Sequence, residues 1–150
     1  MRNFLLPNKA ILTCMVQADN PDRVKELITK SRPEGAEAFG MQFCQLLPQY
    51  QNPDVYRELI GFAEDSPTYV TNYRYGTNKE KSDEELARGI LEIAACGATL
   101  CDVMGDLFGR CESELTEDKE AIAKQRKLID AIHEQGSQVL MSSHTFTFTL

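Results

Sequence analysis

Apolar and polar positions fall in blocks along the chain: a short apolar run, then a longer segment carrying a single apolar stripe. Ala10–Val16 is the first run, long enough for a buried strand and too short for a helix. Asp19-Asn20-Pro21-Asp22 then opens a helix, with Asn20 as N-cap and Pro21 at the first helical position. Val24, Leu27 and Ile28 form its stripe, and Gly35 lies beyond its end. Ala38–Phe43 predicts the second strand, weakened locally by Gly40. Asn52-Pro53 repeats the cap, with Val55, Leu59, Ile60 and Phe62 on the buried face behind it. Thr68–Asn72 predicts the third strand and Gly76–Lys81 a polar loop. Ser82-Asp83-Glu84-Glu85 fits a capping box ahead of Leu86, Ile90, Leu91 and Ile93, with Gly97 at the helix end. Thr99–Val103 is the fourth strand. A long helix starts at Thr116 or Asp118, runs through Ile122, Leu128, Ile129 and Ile132, and ends at Gly136; Gln138–Ser142 is the fifth strand.

This rhythm is a repeated βα unit, which predicts an α/β fold of parallel strands joined by helical crossovers. The strands are continuous apolar runs, as expected where helices cover a sheet. No linker divides the chain, so residues 1–150 are expected to form one α/β domain. Two architectures fit. One is a flavodoxin-like doubly wound sheet of order 2-1-3-4-5; the other is strands one to five of an incomplete (β/α)8 TIM-type barrel, a fold of about 250 residues when whole. Either places its chemistry at the C-terminal ends of the strands.

Composition narrows the function classes. Sixteen basic residues against 23 acidic ones give a net charge of -7, which offers no footprint for nucleic acid or an anionic membrane surface. The apolar runs are too short to span a bilayer, and no cleavage-site pattern follows Met1–Pro7. Five cysteines without a C-x-x-C pair suit buried thiols in a reducing cytoplasm better than disulfides or structural zinc. Neither G-x-G-x-x-G nor G-x-x-x-x-G-K-[ST] occurs, so no nucleotide and no other cofactor is indicated.

The strand-end residues are Gln17, Gln42, Cys44, Asn72–Arg74, Asp102, Asp106 and Ser142-Ser143-His144. His144 ends an apolar strand where a general acid–base is wanted, although a histidine satisfied by a backbone carbonyl fits the same position. Arg74 is suited to clamp a substrate carboxylate with two hydrogen bonds, or to sit in solvent. Asp102, Asp106 and His144 lack a metal-ligand spacing, and no metal is expected. Cys44 and Cys101 have no activating neighbour in sequence. His133 belongs to the last turn of a charged helix, a structural position. No lysine stands at the C-terminal end of an apolar strand, where burial would yield a free amine.

The run Gln138-Val-Leu-Met-Ser-Ser-His144-Thr-Phe146 resembles the strand-five signature of type I 3-dehydroquinate dehydratases, S-x-H-x-F ahead of T-P. Glu34-Gly-Ala-Glu-Ala-Phe39, Pro67-Thr-Tyr-Val-Thr71 and Cys96-Gly-Ala-Thr-Leu-Cys-Asp-Val103 are similar in order to the family's second, third and fourth strands. The resemblance covers nearly the whole chain but only about five-eighths of the family's barrel. It implies a lyase of the shikimate pathway, in aromatic amino acid biosynthesis, that dehydrates 3-dehydroquinate through a lysine imine. His144 matches the proton-transfer histidine; the imine lysine belongs to the next strand, beyond Leu150. Arg74 and Gln42 are the expected substrate contacts, the ligand being a small polyol-ketone or carboxylate. The chain departs from the family at Gly40, Gln42 and Cys44, where E-x-R-x-D is usual, at Thr71–Arg74, one residue longer than T-x-R, and at Thr149-Leu150 in place of T-P. The isolated chain is expected to be inactive. The rival expectations are a complete flavodoxin-like domain, or a non-catalytic module whose exposed first and fifth strands pair with a second half or make a homo-oligomer.

Overall fold

The computed structural model describes residues 3, 4, 6 and 8–144. In it the five apolar runs become strands β1 (Thr13–Val16), β2 (Ala38–Gln42), β3 (Thr68–Thr71), β4 (Leu100–Met104) and β5 (Gln138–Ser142). Between them lie helices α1 (Pro21–Ser31), α2 (Pro53–Phe62), α3 (Asp83–Ala95) and α4 (Lys119–Glu134). Phe146, Thr149 and Leu150, which carry part of the strand-five resemblance, lie outside the described residues.

The caps act as their chemistry requires. Asn20 accepts from Arg23 N–H at 2.9 Å, and Asn52 accepts from Val55 N–H at 3.2 Å, each with proline at the start of the helix. Ser82 and Glu85 complete a reciprocal capping box at the head of α3. Asp118 caps α4, accepting from Ala121 N–H at 2.7 Å, so that helix begins at Lys119. Gly35, Gly97 and Gly136 all adopt positive φ between helix and strand, the left-handed turn that lets each crossover return to the sheet.

All strands are parallel and their order is β1-β2-β3-β4-β5. This order excludes the flavodoxin-like arrangement, in which β1 would lie between β2 and β3. What remains is one open α/β sheet, consistent with part of a barrel. Consecutive crossovers of one hand put the helices on a single face. There Val16, Phe39, Met41, Val70, Cys101 and Val103 pack against Ile28, Leu59, Ile60, Leu86, Ile90, Ile93 and Ile132, every one buried. The predicted first strand is longer than the observed one: Leu12 O already accepts from both Glu37 and Ala38 N–H, and the ladder runs from Thr13. Phe43 leaves β2 for a single 3₁₀ turn over residues 43–45.

The opposite face carries Met15, Gly40, Gln42, Tyr69, Asp102 and Leu140. Gly40 belongs there sterically, because a β-carbon would run into the Met15 sulfur and come within 3.2 Å of the Tyr69 ring. Among the described residues, no helix is long and apolar enough to cross a membrane.

Candidate functional site at the strand ends

The sheet directs the ends of β3, β4 and β5 toward one cleft of about 790 Å3. Tyr73, Arg74 and Tyr75 follow β3; Met104 ends β4; His144 follows β5. Asp106, Arg110, Cys111, Glu112 and Glu114 reach the cleft from the loop between β4 and α4. That loop is held from below. Gly105 N–H donates to Ser142 O at 2.8 Å, and Gly105 O accepts from Thr116 N–H and from the buried Gln125 side chain. A β-carbon on Gly105 would lie 2.6 Å from Glu114 O, so the close passage of the two chain segments needs glycine.

His144 sits in the cleft with Glu114. Its Nδ1 lies 3.0 Å from Glu114 Oε2, and its backbone N–H donates to the same oxygen at 2.8 Å. A carboxylate only accepts, so a ring proton lies on Nδ1, turned toward Glu114. Glu114 takes this position with a left-handed backbone, φ 51. The Tyr73 ring meets the imidazole edge-on, with centroids 5.5 Å apart.

Below the cleft a buried carboxylate is surrounded by hydroxyls. Asp102 Oδ2 accepts from both Tyr69 and Tyr73, and Oδ1 accepts from Ser142 Oγ at 2.6 Å. The Tyr73 and Ser142 oxygens lie 3.1 Å apart, each with its proton turned to Asp102. Burial first, then the Asp102 carboxylate, push both phenols well above the ordinary tyrosine range, so they remain donors. Tyr73 thus joins the buried carboxylate to the imidazole at the surface.

Arg74 is engaged on all sides. Its Nε and Nη2 reach Asp83 at 2.7 and 2.8 Å, Nη1 reaches Asp106 Oδ1 at 2.8 Å, and Nη2 also reaches Asp106 O at 3.0 Å. Two carboxylates already occupy the fork that sequence reasoning offers to a substrate. The pairing raises the guanidinium further above its ordinary value, Asp83 contributing most. Burial alone would raise the Asp83 carboxyl, yet hydrogen bonds from Arg74 and Phe108 N–H hold it below the usual carboxylate range. The ion pairs tie the head of α3 to the loop after β4 and fix one wall of the cleft.

Gln42 stands at the end of β2, on the sheet face opposite the helices, and is not among the residues lining the cleft. His133 lies in the last turn of α4. Cys44 and Cys101 are buried, which raises both thiols, Cys101 to about 12. Among the described residues, no three His, Cys, Asp or Glu side chains are grouped to hold a metal ion. Sequence reasoning passed over Arg110, Cys111, Glu112 and Glu114. The signal for them is an aperiodic, charge-rich stretch directly after a strand, the place where α/β folds build binding loops.

No family model matches the chain, and no curated protein is similar to it in sequence. Its fold is similar to solved structures, among them 3-dehydroquinate dehydratase from Geobacillus kaustophilus HTA426. That match has a TM-score of 0.66 at 11% identity and covers 89% of this chain and 49% of the other. The chain therefore spans about half the length of that neighbour, and at this identity the likeness speaks for the fold.

Proposed function

We propose that the chain carries the proton-transfer part of a lyase resembling type I 3-dehydroquinate dehydratase, with His144 acting on a polyol-ketone held in the cleft. The observation that carries this reading is the His144–Glu114 pair in the cleft, with Nδ1 on the carboxylate and Nε2 without a partner among the described residues. An imidazole oriented in this way takes a proton beside a ketone and returns it to a departing hydroxyl. The fold neighbour supports the choice of substrate class. Among the described residues no lysine lines the cleft, and the resemblance assigns the imine step to a lysine on the strand that follows in that family. With Arg74 paired, Arg110 is the cleft residue that offers a cation to a substrate carboxylate, and Gln42 would act from below. Free thiols, two of them buried, suit a cytoplasmic enzyme.

The test is titration with 3-dehydroquinate while the His144 imidazole resonances are followed by NMR. We expect them to shift with saturation, and expect neither enone product nor a borohydride-trapped adduct with that substrate. Unmoved resonances at millimolar ligand overturn the reading, and a trapped adduct overturns the assignment of the imine step to another unit.

The sheet edges favour a second reading. Among the described residues β1 and β5 each have one neighbour, and Leu12, Met15, Leu140 and Met141 are exposed there. Unpaired parallel edges with apolar side chains invite strand addition. We infer that the chain self-associates through them. Light scattering is expected to give a mass above the 16.9 kDa of one chain, and a monodisperse monomer overturns the inference.

A further inference from the structure

Lys81 lies in a second pocket of about 160 Å3 that shares no residue with the cleft. The segment after β3 separates the two: Asn72 lines the small pocket, whereas Tyr73 and Arg74 line the cleft. The remaining walls come from Gln51 and Tyr56 around the start of α2 and from Glu85, Arg88, Gly89 and Glu92 on α3.

The Lys81 ammonium position differs from that of the other paired lysines. Lys9, Lys25, Lys30 and Lys124 pair with carboxylates. Lys81 Nζ instead donates to a neutral acceptor, Gln51 Oε1. The orientation of that amide is set by its other end, since Gln51 Nε2 reaches Leu46 O at 2.9 Å and Thr77 Oγ1 at 2.6 Å. Thr77 Oγ1 spends its own proton on Leu46 O or Cys44 O, so it accepts from Gln51. The amide oxygen must therefore face the lysine. A neutral amine needs only one such acceptor and keeps its lone pair free, whereas an ammonium in the same place makes no direct ion pair among the described residues, the Glu85 and Glu92 carboxylates standing elsewhere in the pocket wall. Burial lowers the Lys81 pKa, and the Glu85 and Glu92 carboxylates of the same pocket oppose this without reversing it.

We propose that Lys81 is a carbonyl-reactive site: its Nζ, held on Gln51 Oε1, condenses with a small aldehyde or 2-oxo acid whose carboxylate is taken by Arg88. The amine lone pair attacks the carbonyl carbon, a C–N bond forms, and the π pair moves to oxygen. The carbonyl oxygen then leaves with the two amine hydrogens as one water, giving the imine. No oxidant or reductant is consumed. The pocket suits a two- or three-carbon compound, and this chemistry is independent of the cleft.

The probe is glyoxylate with cyanoborohydride, which reduces the imine to a stable secondary amine, followed by peptide mass mapping of the full chain. Lys79, exposed and two residues away, is the internal reference. At neutral pH Lys81 is expected to be labelled several-fold faster than Lys79, the advantage of an amine held on a neutral acceptor inside a pocket. Arg88→Ala, an exposed change, is expected to slow labelling by glyoxylate and leave labelling by acetaldehyde unchanged. Labelling of Lys81 no faster than Lys79 overturns the site. Equal slowing of both aldehydes by Arg88→Ala overturns the carboxylate contact.

Discussion

Replacing Arg74 with methionine is expected to destabilise the chain by about 3–5 kcal/mol at neutral pH, the cost of leaving buried carboxylates without their partner. The Arg74 side chain is 15% exposed and that of Asp106 3%, so water cannot make good the loss. The pH dependence gives the effect a sign. In the native chain Asp83 titrates below its ordinary value of 3.8, so its contribution is complete above that pH and is lost as pH falls through the lower folded value. Without Arg74, burial governs and raises the carboxyl, so the folded variant takes up a proton before the unfolded chain does. The gap between the two proteins should therefore be widest near pH 7 and narrow as pH falls toward about 4. Urea unfolding at both pH values measures it. A difference under about 1 kcal/mol, or one that does not change with pH, would show that the ion pairs contribute little.

The second large effect is expected at Asp102. Its carboxylate is the shared acceptor for three hydroxyls from β3, the segment after β3, and β5. In Asp102→Ala the hydroxyls of Tyr69, Tyr73 and Ser142 have only one another, and the ionised acceptor they shared is gone. Losing charge-assisted bonds in a partly buried cluster should cost about 2–3 kcal/mol after the relief of carboxylate desolvation. Asp102→Asn separates charge from shape. It removes the negative charge that helps to raise both phenols while burial persists, so Tyr69 and Tyr73 should ionise at lower pH than in the native chain yet above exposed tyrosines. Ultraviolet absorbance of phenolate against pH reads this directly, and an unchanged titration would mean that burial alone sets those two tyrosines.

What the sequence disclosed, and what it withheld, divides along a physical line. Interactions within a few residues were legible: both Asn-Pro caps, the Ser82–Glu85 box and the three glycine turns are set by local backbone chemistry. The apolar runs located all five strands, because the sheet face beneath the helices is lined by apolar side chains. Partners from distant segments were not legible. Arg74 was recognisable as a strand-end guanidinium, but nothing near it announces Asp106, 32 residues on. His144 stands in the cleft as the spacing suggests, yet its carboxylate comes from a loop 30 residues earlier with no periodic pattern. Gln42 was placed by analogy of position, and the cleft opens at the ends of β3, β4 and β5, so that Gln42 at the end of β2 is not among its lining residues. Lys81 was read as part of a polar loop, since exposure and burial of a lysine look the same in one dimension.

Because each strand lies beside the one that precedes it in sequence, every pairing in the sheet closes a loop of only one helix and its turns. Low sequence separation between contacting segments favours rapid folding. It also allows assembly in the order of synthesis: β2 can dock on β1 as soon as α1 has emerged, and each later unit finds a finished edge waiting. A sheet with β1 in its middle would have to hold one edge vacant for a strand made much later. Here the growing end of the sheet is always the most recent strand, so the nascent chain exposes a single new edge at a time.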